Sequence, residues 1–336
     1  MKRNVTRLLE EADFLSPEFE NPLYTGTDAL ELFDHFMETT DELWIGPPQC
    51  LRILREHGPR LAMSCPYLLH AMLSFSAYHL SFLHPGARKY SISSTLHYDR
   101  SLKSYSTTLQ DHLESTDSNG LLACSMLLGM IAFRNISVNG PDLQTSPDPE
   151  NSLAEFSGLQ FISGISLLKD IPSLGSTLDS KIWQNALMGC GEGSLDDVET
   201  SDTSSNASKI MDSLEQLCEC EFTQFTNEGP YVKALNALGR FMQLEIDHDK
   251  IGKLFMFIRD LDPRFVRLLE RKEPKALLLL CYWFALLSQI DQWWIIESAR
   301  NEGLKLLNFL GVVENPSIQD LLRFPAELLQ RNRNSL

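Results

Sequence analysis

Four histidines lie within a short stretch of the sequence, and imidazole side chains can bind metal ions or transfer protons. They are His70, His79, His84 and His97. A metal site needs two or three ligands that converge at about 2 Å from one ion. These histidines show neither His-x-x-x-His nor Glu-x-x-His spacing, and His70 and His79 project differently from one helix. We therefore favour cap, surface or hydrogen-bonded core histidines, and predict no metal and no cofactor.

Two short segments combine carboxylates with imidazoles and could hold a general base. They are Asp34-His35 and Asp247-His248-Asp249. No Gly-x-Ser-x-Gly or Cys/His signature of a nucleophile accompanies them, so solvated polar residues at helix ends are the favoured interpretation. We assign no catalytic residue. An enzyme that uses His79 or His97 as an acid or base stays open as the least favoured function.

The cysteines and one glycine-rich segment also fail to form a recognised site. The seven cysteines are widely spaced, which is typical of reduced thiols and favours the nucleus or the cytoplasm. Cys218 and Cys220 would lie on different faces of a helix, which disfavours a zinc site. The segment 189–193 lacks the lysine and the glycine spacing of a phosphate-binding loop, so it is interpreted as a flexible linker.

Composition and charge limit the partners of this chain. Its 336 residues carry a formal net charge of −16, and 43% of them are hydrophobic. A surface this negative repels phosphate backbones, so we expect no direct nucleic-acid binding. The apolar run 276–287 is shorter than the roughly 20 residues that cross a membrane, so we expect no membrane association and interpret it as a buried helix.

Helical periodicity runs through the sequence, and no alternating strand pattern recurs with any strength. We predict an all-α fold with about ten or more helices in a single large domain. The predicted helices are 66–83, 90–113, 121–133, 152–169, 210–222, 231–245, 249–259, 263–271, 274–290, 293–310 and 318–330. In the second of these, the predicted buried side consists of Leu96, Tyr98, Leu102, Tyr105 and Leu109.

The predicted domain spans residues 28–330 and follows an amino-terminal linker, residues 1–27. The segment 189–208 is acidic, is rich in Ser and Thr, and contains no Lys or Arg. This composition is typical of a mobile loop. A partner-binding or activation segment is the less favoured interpretation of it.

Two apolar segments carry many aromatic residues, and large rings leave gaps that can form an apolar pocket. They are 68–83 and 276–294. Plain core packing is the competing interpretation for each residue in them. The pocket candidates, chosen by chemistry and pattern, are Met72, Phe75, Tyr78, His79, Tyr282, Phe284, Leu287 and Trp294.

The order of these segments resembles a known family. Residues 30–40 (LELFDHFMETT), the aromatic Trp44 and residues 59–73 (PRLAMSCPYLLHAML) resemble the regulatory domain of fungal zinc-binuclear-cluster transcription factors, of the sterol uptake control type. Residues 74–80 and 97–102 continue the match. Phe257 to Trp294 is similar to the Pro- and Leu-rich segment of that family, with its closing tryptophans.

This resemblance implies a regulatory domain that senses an apolar small molecule, sterol- or polyketide-like, and controls transcription through a protein partner or homodimer. Two features depart from the family. The compact Cys-x-x-Cys-x6-Cys array of its DNA-reading module is absent from this sequence. Ile295 and Ile296 also follow Trp293-Trp294 where the family commonly has Gly-Trp, which weakens the case for sterol itself. An interaction protein that lacks a DNA module and modulates a full-length relative is the alternative.

Overall fold

The computed structural model describes residues 29–43, 54–111, 118–136, 156, 158, 204–219, 229–242, 257 and 261–331. Within these ranges the chain forms twelve α-helices and no strand, which confirms the all-α prediction. The helices are α1 (Ala29–Leu43), α2 (Gly58–Ala62), α3 (Pro66–Leu83), α4 (Arg88–Asp111), α5 (Ser118–Asn135), α6 (Ser204–Glu219), α7 (Val232–Met242), α8 (Pro263–Glu270), α9 (Pro274–Leu287), α10 (Ile296–Leu310), α11 (Pro316–Leu321) and α12 (Arg323–Gln330).

The chain divides into two compact units, which are described separately below. The first unit contains α1 to α4 and the part of α5 that ends at Ala132. The second contains the described residues from Phe133 onward. The single domain over 28–330 stays a prediction. The predicted linker 1–27 and most of the predicted acidic loop, residues 189–203, lie outside the described residues.

Helix α3 has the bounds that the sequence predicts, because prolines mark both ends. Pro66 occupies the first turn, where its missing N–H costs nothing, and the helix ends before Pro85 and Gly86. The helix is buried from Tyr67 to Ala77 without a break. Its burial includes the polar residues His70, Ser74 and Ser76, so α3 is enclosed on almost every side.

The buried side of α4 differs from the prediction. Leu102 is exposed, and Leu96, Tyr98 and Leu109 are half-buried, whereas Tyr105 is buried as expected. The other residues buried along this helix are Tyr90, Ser93, Ser94, His97 and Ser101. The prediction assumed that the apolar stripe faces the core, but α4 uses small and hydrogen-bonding side chains there. They allow a close approach to α3 and bond across the interface.

Helices α8 and α9 begin with a proline and a capping carboxylate. Asp262 accepts a hydrogen bond from the backbone N–H of Arg264 at 2.8 Å, and Glu273 accepts one from Ala276 at 2.8 Å. Lys272, between these helices, has a φ of 58°, a left-handed conformation that usually belongs to glycine. Helix α9 is buried at every position from 276 to 287. None of the helices in the described ranges combines the length and apolar composition needed to cross a membrane.

Three helix boundaries in the second unit differ from the predictions. Helix α6 begins at Ser204, so residues 204–208 are helical rather than part of a loop. Helix α10 begins at Ile296, because Trp293 and Trp294 lie in a turn that follows α9. The predicted helix 318–330 is divided at Leu322 into α11 and α12, and α11 starts at Pro316 with Asn315 as its cap.

Candidate functional site

A polar seam joins α3 to α4 in the first unit, and we define it by Tyr67, His70, Ser74, Ser94, His97 and Ser101. The Ser74 hydroxyl donates a hydrogen bond to the backbone carbonyl of Ser94 at 2.8 Å. The Ser101 hydroxyl donates one to the carbonyl of Tyr67 at 2.7 Å. Residue numbers rise along one helix as they fall along the other, so α3 and α4 are antiparallel. Serine suits this interface because it is small and can bond a carbonyl that the helix already uses.

The middle of the seam is a pair of buried imidazoles. The Nδ1 atoms of His70 and His97 lie 3.0 Å apart, and the two rings stack with centroids 5.1 Å apart. One nitrogen donates its hydrogen to the other, so both rings are accommodated in their neutral forms. Burial, together with the positive charge of Arg100, lowers the pKa of His70 to about 4. Burial also lowers the pKa of His97 well below its usual range.

A second imidazole pair joins α1 to α3. His35 Nε2 and His79 Nδ1 lie 2.9 Å apart, with ring centroids 5.1 Å apart and an interplanar angle of 28°. Burial and the neighbouring His35 lower the pKa of His79 to about 4. Burial lowers the pKa of His35 too, but the charges of Glu38 and Glu31 oppose that shift. This pair therefore lies beside carboxylates, whereas the seam pair lies beside a guanidinium.

The four pocket candidates of the first unit all lie on α3 but differ in surroundings. Met72 and Phe75 are buried, and His79 bonds to α1 through His35. Tyr78 is half-buried and lies near Tyr98 of α4, whose pKa is raised mainly by its own burial. Spacings of three and four residues place Met72, Phe75 and His79 on one face of the helix. That face and the seam are two separate sides of α3.

An aromatic cluster occupies the centre of the second unit, and we define it by Phe133, Phe156, Phe257, Trp283, Phe284 and Trp294. Phe133 contacts Trp294 edge to face with centroids 6.1 Å apart, and lies 6.4 Å from Phe284. Phe284 in turn contacts Trp283 at 4.8 Å and Phe156 at 5.9 Å. Edge-to-face contacts of this kind add to the free energy of burial. The cluster brings together the two candidates Phe284 and Trp294.

The other two candidates of the second unit have different positions. Tyr282 stacks on Phe324 of α12 with centroids 5.5 Å apart, and its hydroxyl donates a hydrogen bond to the carbonyl of Leu321 at 2.7 Å. Positions 282 and 284 lie on nearly opposite sides of a helix, which explains the separation. Leu287 is fully buried near the end of α9.

A buried ion pair lies next to the aromatic cluster. Lys305 Nζ donates to Glu302 Oε1 at 2.7 Å, and the two side chains are 3% and 0% exposed. The other oxygen, Glu302 Oε2, accepts a hydrogen bond from the backbone N–H of Gly158 at 2.9 Å. A Cβ added to Gly158 would lie 3.1 Å from the Phe284 ring, which shows how close the ion pair comes to the cluster. Two charges in such surroundings are costly to bury unless they are paired and hydrogen-bonded.

Cysteine thiols and metal ligands do not form a further centre in the described part of the chain. Cys65, Cys124, Cys218 and Cys281 are buried, and burial raises the pKa of the Cys124 and Cys281 thiols to about 12. Such thiols are inert rather than nucleophilic. Across the described residues, no three His, Cys, Asp or Glu side chains already converge to hold a metal ion. Cys220, Asp247 and the segment 189–193 lie outside the described residues.

Several of these polar residues were missed or misjudged from the sequence. His35 was interpreted as a solvated residue at a helix end, but it is the partner of His79. The sequence pattern does not single out Glu302 and Lys305, because a Glu–Lys pair three residues apart usually marks a solvated helix face. One signal was present: Ala299 and Leu306, which lie at helical spacing from Glu302, mark the buried face of α10.

Comparison with known proteins identifies the part of the chain that contains both imidazole pairs. The fungal specific transcription factor domain family matches residues 31–142. The chain is also similar to Sterol uptake control protein 2 of Saccharomyces cerevisiae, with 38% identity over 88 residues. That match covers 26% of this chain and 9% of the relative, so the chain spans a small part of that protein's length. Residues 31–142, which contain the polar seam and both imidazole pairs, are therefore the part of the chain that is similar to the fungal specific transcription factor domain family.

Proposed function

We propose that this chain is a regulatory domain that senses an apolar small molecule, a sterol or a polyketide-like secondary metabolite, and passes that signal to transcription through a protein partner. The family match over residues 31–142 supports the regulatory role. The name of the relative, Sterol uptake control protein 2, supports an apolar ligand. The place of action we propose is the nucleus, the cytoplasm or both.

The observation that carries the sensing proposal is the buried ion pair beside the aromatic cluster. Small-molecule sites combine mostly apolar walls with a few polar groups that orient the ligand. Phe284 and Trp294 offer the apolar surface, and Glu302 and Lys305 offer a hydrogen-bond acceptor and a donor beside it. A largely apolar molecule with one hydroxyl or carbonyl group matches this combination. The ligand would replace part of the ring packing and bond to one member of the pair.

A thermal-shift screen with sterols and polyketide-like metabolites tests this proposal. A ligand present at 100 times its dissociation constant stabilises the folded chain by about 2.7 kcal/mol. We expect Tm to rise with at least one compound in the wild-type chain, and to rise much less in Lys305→Met. Lys233→Met, which removes an exposed lysine of the same unit, is the matched control and should respond as the wild type does.

A second variant separates ligand binding from folding. Lys305→Met leaves Glu302 buried without the Lys305 cation, so we expect the chain to lose stability as well as ligand affinity. The double variant Glu302→Gln, Lys305→Met removes both charges together, and the glutamine can still accept the Gly158 N–H. A ligand response that survives in the folded double variant would contradict the proposed anchor. Absence of any response in the wild type across the screen would contradict the sensing function.

The proposed route to transcription is a protein contact rather than a DNA contact by this chain. The formal charge of −16 supports this choice, since a negative surface repels phosphate backbones. Gel-shift measurements with and without a full-length relative of the family test it. We expect the chain to change the mobility of the relative's complex with DNA and to leave free DNA unshifted. Retardation of free DNA by the chain alone would contradict it.

A further inference from the structure

Five exposed cations lie close together in the second unit, although the formal charge of the chain is −16. Arg264, Arg267 and Arg271 lie along α8 and its carboxyl end at spacings of three and four residues, which places them on one face. Phe265 and Leu269 are fully buried on the opposite face. We call the exposed group the basic face and define it by Lys233, Arg264, Arg267, Arg271 and Lys272.

The two lysines extend the basic face at the two ends of α8. Hydrogen bonds from Arg264 lower the pKa of the Asp262 carboxyl to about 2, and the nearby charge of Lys233 adds to this shift. Tyr231 contacts Phe265 edge to face with ring centroids 5.8 Å apart, so the start of α7 lies against α8. At the other end, Lys272 directly follows the last arginine of the basic face.

Most of these charges have no counter-ion among the residues that the structure describes. Arg264 is paired with Asp262, whose two oxygens lie 2.8 Å and 3.1 Å from guanidinium nitrogens. The other four cations form no ion pair with any described residue. The carboxylate of Glu273 instead accepts hydrogen bonds from the N–H of Ala276 and the hydroxyl of Tyr231, each at 2.8 Å. The basic face therefore presents uncompensated positive charge to solvent.

The dipoles of the helices do not account for this clustering. A cation is stabilised at the carboxyl end of a helix, which suits Arg271 and Lys272. Arg264 and Lys233, however, lie in the first turns of α8 and α7, where the helix dipole disfavours a cation. Lys272 also has a left-handed φ of 58°, at the position after the helix cap that usually holds glycine. A lysine in that conformation is strained, whereas a glycine would not be.

We propose that the basic face binds an acidic peptide segment of a protein partner in an extended conformation. The arginines would bond to its Asp and Glu carboxylates through paired N–H groups. Arg264 and Arg271 are separated by about 10.5 Å along the helix axis. An extended peptide rises about 3.3 Å per residue, so about four residues span this distance. The proposal names the chemistry of the partner in the proposed function, and it rests on that function only for the existence of a protein partner.

A short acidic peptide fits the basic face better than a nucleic acid does. A DNA duplex carries about one negative charge per 1.7 Å of its axis and extends well beyond a patch of this length. Outside the basic face it would meet the surface of a chain with a formal charge of −16, which repels phosphates. A peptide that ends within the basic face avoids this repulsion. The distribution of charge therefore favours peptide carboxylates over a nucleic-acid backbone.

Fluorescence anisotropy with a fluorescein-labelled hexaglutamate peptide tests the proposal on the full chain at pH 7. We expect saturable one-to-one binding that weakens as the salt concentration rises, and no binding of labelled hexaglutamine. The double variant Arg267→Gln, Arg271→Gln should weaken binding at least about 10-fold. The double variant Arg323→Gln, Arg331→Gln is the matched control. It removes the same charge from exposed positions of the same unit and should bind as the wild type does.

Two single variants separate peptide binding from folding. Lys272→Gly removes a cation and relieves the left-handed strain, so binding should weaken about 2-fold while Tm stays the same or rises. Glu270 is exposed three residues after Arg267, and its negative charge opposes that of the peptide. Glu270→Gln should therefore strengthen binding about 2-fold. A purely structural role of these residues would not change the affinity in opposite directions at constant Tm.

Four outcomes would overturn the proposal. They are absence of hexaglutamate binding to the wild type, equal binding of hexaglutamine, binding that persists in Arg267→Gln, Arg271→Gln, and displacement of the peptide by a short DNA duplex. Binding that appears only after the five carboxylates of segment 189–203 are changed to amides would also overturn it, by assigning the basic face to this chain's own acidic segment. None of these results affects the small-molecule response, which the thermal-shift screen measures separately.

Discussion

Helices α3 and α9 are both buried along almost their whole length, yet different contacts hold them in place. Helix α3 is fixed to α4 by serine hydroxyls and a pair of imidazoles, and to α1 by a second pair. Helix α9 is fixed by apolar side chains and by the rings around Phe284. Hydrogen bonds require one register and one protonation state, whereas apolar packing tolerates substitutions that conserve volume. The first unit is therefore the pH-sensitive part, and the second is the better candidate for a ligand that displaces apolar contacts.

We expect the largest loss in the free energy of unfolding when a ring of the aromatic cluster is truncated. Phe284→Ala should reduce the free energy of unfolding by about 3–5 kcal/mol, because it removes a fully buried ring and leaves a cavity. Val312→Ala, at a position of the same unit that is 57% exposed, should change it by less than about 0.5 kcal/mol. Urea unfolding measures both variants. Equal losses would contradict the central position of Phe284.

Breaking the buried ion pair should reduce the free energy of unfolding by a similar amount. The cause here is an unpaired buried charge rather than a cavity. Lys305→Met should reduce the free energy of unfolding by about 3–5 kcal/mol, since Glu302 remains buried without its cation. The double variant Glu302→Gln, Lys305→Met should recover most of that loss. Chemical denaturation of the two variants at pH 7 is the measurement. If the double variant is as unstable as the single one, the loss of stability comes from the missing ion pair and not from the unpaired charge of Glu302.

Acid should destabilise the first unit through its imidazoles. Burial lowers the folded-state pKa of His70 to about 4, below the unfolded value of 6.5, so the unfolded state binds more protons between these pH values. Stability therefore falls as pH falls from 6.5 toward 4, by about 2 kcal/mol for His70 alone between pH 6.5 and pH 5. NMR titration of the histidine rings checks this directly. Midpoints near 6.5 for both His70 and His97 would contradict the buried pair.

The smallest expected effect belongs to a single hydroxyl of the seam. Ser101→Ala should reduce the free energy of unfolding by about 1 kcal/mol, because the carbonyl of Tyr67 loses one of its hydrogen bonds. The substitution leaves no buried charge without a counter-ion. Ser106→Ala, at an exposed position of α4, is the matched control and should be neutral. Thermal denaturation of the two variants, measured side by side, resolves the difference. An unchanged Tm in Ser101→Ala would mean that the Ser101 hydroxyl does not stabilise the seam.

Helix bounds could be predicted where proline and apolar periodicity act together. The bounds of α3 follow from Pro66 and Pro85, and Pro263 and Pro274 mark the starts of α8 and α9. The predicted buried side of α4 was wrong because a polar face can be buried when the facing helix offers carbonyls and imidazoles in register. Nothing in one helix alone carries that information.

The pairing of distant side chains could not be predicted from spacing. His35 and His79 are separated by 44 positions, and their contact depends on how α1 packs against α3. The anchor formed by Glu302 and Lys305 depends on Gly158, which lies 144 positions before Glu302. Among the eight pocket candidates, Phe284 and Trp294 meet around Phe133, while Tyr282 faces α12. The pocket itself stays a prediction.

Native mass spectrometry of the chain purified from yeast tests the sensing function most directly. We predict a bound mass in the range of a sterol or polyketide, present in the wild type and in Lys233→Met but lost from the double variant Glu302→Gln, Lys305→Met. The same bound mass in the double variant would contradict the proposed anchor. A wild-type chain that carries no such mass, and gains none when incubated with the compounds of the thermal-shift screen, would contradict the sensing function.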